Sequence, residues 1–214
     1  MSLPFYWLGR QPYAPMRERL QAQALQVQSA PANELIYACE HEPVYTTGRR
    51  GIDNRTGASL PAPLLRTDRG GETTFHGPGQ IMLYPVVDLR ARGLGVRDYV
   101  YALEQSCIDL LAGMGIQASR RCGLPGVWTE RGKIAAIGIR VQHGVAWHGM
   151  ALNVQVDPAW FAAINPCGTG LGIDRLGDHP QSEVYELEVI ADRWARCCIS
   201  NLPERVRERN ISPA

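Results

Sequence analysis

The chain has 214 residues, 45% of them hydrophobic and 20% charged, which is enough length and apolar content to bury one core. We therefore expect a single domain over residues 1–214, with a polar tail that frays from about Glu204. The formal net charge of +1 excludes a generic polyanion binder, so no nucleic-acid partner is expected, and no segment is long enough to cross a membrane.

Hydrophobic periodicity and Gly/Pro positions predict alternating short strands and helices. In the first half we expect an edge strand at 5–8, a helix from about Met16 to Pro31, and strands at 34–40, 43–47 and 81–87. His41, between two of these strands, is expected in a turn or at the surface. In the second half we expect a helix at 96–112, strands at 127–128, 133–141 and 145–156, a short helix at 158–164, and a last helix capped by Ser182.

The stretch 69–84 is the most unusual in the sequence, because it combines four glycines, a proline, a histidine and an arginine. Gly70 and Gly71 allow backbone to approach a ligand closely, and His76 offers a hydrogen-bonding side chain beside them. A turn at 77–79 then leads into the buried strand. The pattern predicts either a ligand-binding loop or a tight β-connection with an incidental histidine.

The strand at 145–156 has one face of large side chains and one of small ones. Met150 and Leu152 point one way, whereas Gly149, Ala151 and Asn153 point the other. Small residues on a strand leave room for an extended ligand. His148 shares its parity with the large face, so a buried structural histidine is one interpretation.

Lys133 and Cys167 are the two candidate reactive side chains. Of the 22 basic residues only Lys133 is a lysine, and lysine can lose its proton where arginine cannot. Cys167 lies in a Pro-Cys-Gly turn, whereas Cys107 and Cys198 fall on helix stripes and Cys39 in a strand. The cysteine and histidine spacing predicts no metal site, and the absence of a phosphate-binding glycine motif predicts no nucleotide cofactor.

The first ten residues lack a basic start and an apolar run, so no signal peptide is predicted. Six cysteines without such a leader indicate reduced thiols, and we expect a cytoplasmic protein.

Five blocks of this sequence, in order, resemble the octanoyl-ACP:protein octanoyltransferases, also called lipoate-protein ligase B. The most specific is Arg-Gly-Gly-Glu-Thr-Thr-Phe-His-Gly-Pro-Gly-Gln at 69–80. The others lie at 41–51, 132–138, 148–153 and 164–168. Any one block alone would be modest evidence for the resemblance, but five blocks in order with sensible spacing are highly specific.

The resemblance implies an α+β fold, a mixed β-sheet flanked by helices, shared with biotin and lipoate protein ligases. It implies transfer of an octanoyl group from octanoyl-acyl carrier protein to a lysine of lipoyl domains, as found in 2-oxo acid dehydrogenase complexes and the glycine cleavage H protein. Cys167 would be the acyl-thioester nucleophile, and Lys133 would lower the pKa of Cys167 and act as base or acid. The substrate would be bound by Arg69, Gly70, Gly71, Glu72, Thr73, Thr74, Phe75, His76, Ala136, Ile137, Gly138, Gly149, Met150 and Ala151.

Three other functions stay open from the sequence. An ATP-dependent lipoate or biotin ligase on the same fold would need the lysine but not the cysteine. A cysteine hydrolase would use Cys167 with a histidine and Asn165, and would release free fatty acid. A carrier-binding module with an inactive site would use arginines such as Arg49 and Arg50 to contact an acidic partner.

Overall fold

Ten strands and three α-helices make up most of the described chain, which in this computed structural model comprises residues 3–51, 59–164, 172–180 and 186–205. The helices are α1 (Tyr13–Ser29), α2 (Val96–Ala112) and α3 (Leu187–Asn201), with 3₁₀ turns at Pro31–Asn33, Pro158–Phe161 and Leu176–Asp178. In chain order the strands are β1 (Phe5–Gln11), β2 (Leu35–His41), β3 (Val44–Thr47), β4 (Leu64–Arg66), β5 (Thr74–His76), β6 (Gln80–Asp88), β7 (Ser119–Arg121), β8 (Leu124–Trp128), β9 (Lys133–Gln142) and β10 (Val145–Asn153).

Seven strands form a mixed sheet in the order β1-β2-β6-β10-β9-β8-β7. β1 runs parallel to β2, and each remaining neighbour pair is antiparallel. A second sheet has the order β4-β3-β5, and its edge strand β5 lies within the glycine-rich stretch 69–84. β6 and β10 are buried along their whole length, which explains their nearly continuous apolar sequences.

Helices cover both faces of the large sheet. On one face α2 and α3 pack against it through side chains such as Leu103 and Trp194. On the other face α1 contributes Met16 and Leu20 to a second apolar cluster. The molecule is therefore an α+β protein with a mixed sheet between helices, as the sequence predicted.

Most predicted elements are confirmed, with shifts at their ends. α2 has the predicted bounds, and β6, β9 and β10 cover the predicted strands, although β10 ends at Asn153. α1 begins at Tyr13, three residues early, and α3 begins at Leu187 rather than after Ser182, which lies outside the described residues. The tail from 206 onward also lies outside them. No helix in the described parts of the chain is long and apolar enough to cross a membrane.

The predicted position of His41 is wrong. It is the last residue of β2 and has no exposed surface. Both ring nitrogens have partners, because Nδ1 lies 2.8 Å from the Gln11 carbonyl and Nε2 lies 2.8 Å from the Tyr84 hydroxyl. These bonds satisfy the polar ring, so a residue that looks like a turn residue in sequence can lie in the core.

Candidate active site

Small residues on β9 and β10 open one face of the sheet. Ala151 lies opposite both Met82 on β6 and Ala136 on β9, and Gly149 lies opposite Gly138. A Cβ atom at position 149 would overlap the Leu83 carbonyl oxygen, so only glycine fits there. The small-residue strand face predicted from sequence is therefore present, and it forms the floor of a cavity.

The glycine-rich loop lies over this floor and is held by Arg69. The Arg69 guanidinium donates to the carbonyls of Thr46, Gly70 and Glu72, at 2.6–2.8 Å, and to the Thr46 hydroxyl. The loop also joins the edge of β9, where the Gly70 N–H donates to the Ile139 carbonyl at 2.8 Å. A Cβ at Gly138 would lie 3.0 Å from Arg69 Cδ, so the loop packs directly on that glycine.

The Arg69 charge is buried among neutral acceptors. Arg69 is 7% exposed, and burial lowers the pKa of its guanidinium below the usual value. The bonds described above engage each of its three nitrogens. Arg69 therefore shapes the loop, and its guanidinium is not presented as an open anion site.

A cavity of about 390 Å³, open to solvent on one side, lies between the glycine-rich loop and this floor. Of the fourteen predicted substrate-binding residues, thirteen line it, and Lys133 lines it too. Phe75 does not: in β5 it points away from its neighbours Thr74 and His76, and its ring stacks on Trp160 with centroids 4.7 Å apart. Lining residues that the sequence did not predict are Tyr13, Arg50, Met82, Tyr84, Val100, Gly123, Leu124, Pro125 and Ile139; His148, which the sequence left undecided, lines it as well.

A polar wall closes the cavity on the α1 side. The rings of Tyr13 and His76 are stacked, with centroids 6.1 Å apart, and Tyr13 meets His41 edge-on at 5.1 Å. Burial lowers the pKa of His41 to about 4 and that of His76 well below 6.5, with the Arg69 charge contributing at His76. Burial also raises the pKa of Tyr84 well above 10. At neutral pH both histidines are therefore neutral and the tyrosine keeps its proton.

His148 occupies a strained position on β10. Its φ of 59° lies in the left-handed region, which is uncommon for a residue with a side chain. Its Nε2 lies 3.0 Å from Asp68 Oδ1, and this hydrogen bond is the main cause that lowers the pKa of Asp68. His148 is buried, as one interpretation of the sequence had it, and it also reaches the cavity.

Lys133 begins β9 and brings an amine to the cavity. Its Nζ donates to the Pro125 carbonyl at 2.9 Å. Both backbone polar groups of Lys133 are hydrogen-bonded to residues 172–174. The Lys133 N–H donates to the Gly172 carbonyl at 3.0 Å, and the Asp174 N–H donates to the Lys133 carbonyl at 2.9 Å. The amine is therefore presented from a rigid strand.

Cys167, the predicted nucleophile, lies outside the described residues. The other cysteines are described: Cys39, Cys107 and Cys198 are buried, as their strand and helix positions predicted. Burial raises the pKa of each of these three thiols, which makes them poor nucleophiles. Among the described residues, no three His, Cys, Asp or Glu side chains converge to hold a metal ion.

Sequence reasoning missed the two tyrosines of the polar wall. Tyr13 comes from α1, far from every motif, and Tyr84 lies on β6, four residues after the block 69–80 ends. One signal was available. Alternate residues of β6 point to the same face, so Tyr84 shares a face with Met82, which lies opposite Ala151 of β10.

The sequence is similar to those of lipoyl protein ligases and octanoyltransferases. The family model of the lipoyl protein ligase A/B catalytic domain matches residues 16–194. An octanoyltransferase from Thiobacillus denitrificans is 47% identical over 178 residues, which cover 83% of this chain and 81% of the relative. An octanoyltransferase from Chromohalobacter salexigens is 40% identical over 212 residues, covering 97% and 94%.

Solved structures share the fold at low identity. Lipoate-protein ligase A bound with ATP has a TM-score of 0.74 and 15% identity, covering 99% of this chain and 90% of its own. Biotin protein ligase from Aquifex aeolicus in complex with biotin and ATP has a TM-score of 0.55 and 10% identity, covering 92% and 69%. These matches confirm the predicted ligase-like fold class. Since the family match spans most of the sequence and the relatives reach 40% identity or more, the chain belongs to the lipoyl protein ligase A/B catalytic domain family and is an acyltransferase.

Proposed function

We propose that this protein transfers an octanoyl group from octanoyl-acyl carrier protein to a lysine of a lipoyl domain, through a thioester on Cys167. One observation carries the proposal: the only lysine of the chain brings its amine into the cavity formed by the glycine-rich loop and the small-residue strands. The octanoyltransferase relatives support the acyl group. The acceptors are the lipoyl domains of 2-oxo acid dehydrogenase complexes and the glycine cleavage H protein.

The cavity suits a short acyl chain. Its volume of about 390 Å³ falls in the range of small-molecule sites. Met82, Ala136 and Ala151 give it an apolar floor, along which an extended chain can lie against β-strand backbone. The glycine-rich loop covers part of this floor, so the side of the acyl chain that faces the loop would be shielded from water.

The proposed position of Cys167 beside Lys133 rests on chain connectivity. Gly172 follows Cys167 by five residues, and its carbonyl accepts the Lys133 N–H. Five residues span at most about 18 Å even when fully extended. Chain connectivity is therefore compatible with the proposed approach of Cys167 to Lys133.

In the first step the Cys167 thiolate attacks the thioester carbonyl of the donor. A new carbon–sulfur bond forms, the bond to the carrier sulfur breaks, and the carrier thiolate leaves and takes up the proton that Cys167 gave to Lys133. Exchange of one thioester for another is close to balanced, so no ATP is consumed. Splitting the transfer in this way divides one difficult step into two easier ones.

In the second step the acceptor lysine amine attacks the Cys167 thioester. A carbon–nitrogen bond forms, the carbon–sulfur bond breaks, and the amine loses a proton to Lys133, which returns it to the Cys167 sulfur. The Lys133 ammonium also favours the thiolate at the start of each cycle.

Intact-protein mass spectrometry tests the proposal directly. The purified chain is mixed with octanoyl-acyl carrier protein and no acceptor. We expect one octanoyl mass on the wild type, none on Cys167→Ala, and a normal adduct on Cys122→Ala, which removes another thiol that is exposed. Adding a lipoyl domain should then move the mass to the domain.

The alternatives give different outcomes in the same assay. An ATP-dependent ligase would transfer only with ATP and free acid, and would keep its activity in Cys167→Ala. A hydrolase would release octanoic acid without an acceptor. Full transfer by both Cys167→Ala and Lys133→Ala would contradict the proposed mechanism.

A further inference from the structure

We propose that Trp128 is a positioning residue for Lys133, holding its ammonium over the indole face and aiming it into the cavity. The inference rests on the proposed function, which makes Lys133 part of the reaction. Nothing in the motifs identifies Trp128, because it lies outside the segments that resemble the octanoyltransferases. Its role follows from its place directly opposite Lys133 in the sheet.

The geometry is that of a cation held by a ring. Lys133 Nζ lies 4.7 Å from the Trp128 ring centroid, well within the distance at which an ammonium is attracted by the π-face. The same amine donates to the Pro125 carbonyl at 2.9 Å. One ring and one carbonyl, both on β8, therefore fix the end of an otherwise flexible four-carbon side chain.

The ring itself is rigid. Trp128 is fully buried, and its Nε1 donates to the Leu124 carbonyl at 2.9 Å. The Arg121 guanidinium also lies 4.7 Å from the ring centroid. A ring fixed in this way can hold the amine without being displaced by it.

β8 also makes space for the lysine stem. Gly126 has a φ of 115°, and a Cβ there would lie 2.5 Å from the Ala135 carbonyl oxygen and 3.4 Å from Lys133 Cε. The overlap with the Ala135 carbonyl excludes a larger residue at this position, and the lysine stem lies within van der Waals reach of it. The bare backbone at Gly126 therefore lies beside the lysine stem, next to the register shift between Val127 and Trp128.

The partners of the amine are neutral. Within the described residues no carboxylate forms a salt bridge with Lys133, unlike Arg92 and Arg120, which pair with Glu34 and Glu104. A carbonyl and a π-face attract a cation without cancelling its charge. The field of the ammonium is therefore left to act on an anion in the cavity, such as the proposed thiolate.

Lysine-selective NMR tests the position without relying on activity. Because the chain has a single lysine, labelling with ¹³C,¹⁵N-lysine gives the spectrum of Lys133 alone. The ring current of Trp128 should move the ε-methylene proton resonance upfield. The resonance should move to the free-lysine position in Trp128→Leu, less far in Trp128→Phe, and not at all in Trp194→Leu. The matched control Trp194 is equally buried, packs in the α2–α3 cluster and does not line the cavity.

Transfer rates test the consequence. At a temperature where each variant is folded, Trp128→Leu should transfer roughly 2- to 30-fold more slowly, the range that cation–π attraction supports. Trp128→Phe should recover part of the loss, and Trp194→Leu should stay within about twofold of wild type. In a Lys133→Met background, Trp128→Leu should cause no further loss, because the two residues act as one unit.

Two outcomes would overturn the inference: identical ε-methylene resonances in wild type and Trp128→Leu, or equal rate losses in Trp128→Leu, Trp128→Phe and Trp194→Leu. Failure of the proposed function is separately visible. If Lys133→Met transfers at the wild-type rate, then Lys133 has no role in the reaction, whatever the NMR spectrum shows of its position.

Discussion

Replacing Arg69 by methionine should destabilise the glycine-rich loop rather than remove a substrate contact. The variant leaves the carbonyls of Thr46, Gly70 and Glu72 and the Thr46 hydroxyl without their donor. Each buried acceptor that loses its partner costs about 1–3 kcal/mol, and removing a desolvated charge returns part of that. We expect the free energy of unfolding to fall by about 4 kcal/mol.

Urea denaturation measures this change, with the midpoint read at constant m-value. Arg69→Lys is the informative companion, because it keeps the charge but not the planar fork, and should lose about 2 kcal/mol or more. Arg196→Met is the control: Arg196 is an exposed arginine paired with Asp192 one turn away, and its loss should not move the midpoint.

The competing view is that Arg69 binds substrate through its charge. That view predicts near-normal stability for Arg69→Met, a raised KM, and rescue of the KM by Arg69→Lys. A loss of less than about 1 kcal/mol in Arg69→Met, together with such a KM pattern, would refute the structural role argued here.

Three further changes test the fold around the site. His41 has a pKa of about 4 in the folded state and 6.5 in the unfolded state. The unfolded chain therefore binds the extra proton, and the free energy of unfolding should fall by about 3 kcal/mol as the pH drops from about 7 to 4. A flat pH dependence that His41→Gln does not alter would contradict this. Arg92→Met leaves the buried Glu34 carboxylate with the Asp88 N–H and the more distant Arg205 guanidinium, 3.8 Å away, and should cost about 3–5 kcal/mol in urea denaturation, more than the double variant Glu34→Met/Arg92→Met; equal losses would show that the ion pair is not the cause. Gly149→Ala places a methyl group on the Leu83 carbonyl and should cost about 1–3 kcal/mol and slow transfer, whereas wild-type stability would mean that the β6–β10 register relaxes.

The parts of the site that the sequence predicted are those with local signals. Gly70, Gly71 and the turn at 77–79 follow from backbone requirements that few residues meet. The small face of β10 follows from a period of two, which needs only consecutive residues. These signals pointed to the glycine-rich stretch and the small strand face, whereas the full set of thirteen cavity-lining residues came from the resemblance to the octanoyltransferases.

The parts that the sequence could not predict depend on distant contacts. His41 looked like a turn residue because its partners, Gln11 and Tyr84, are 30 and 43 residues away. The resemblance assigned Arg69 to the substrate site, and its bonds to Thr46, 23 residues away, add a structural role that the sequence did not show. Residue type alone does not reveal whether a donor is free.

The protonation states around the cavity assign separate tasks to its two sides. Burial keeps His41 and His76 neutral at neutral pH, and it holds the protons of Tyr13 and Tyr84 by raising their pKa values. Groups locked in one state can orient an acyl chain, but they exchange protons poorly, because a general base works best with a pKa near the working pH. In the proposed mechanism the proton transfers belong to the β8–β9 side, where Lys133 stands on a rigid strand whose backbone is bonded to Gly172 and Asp174.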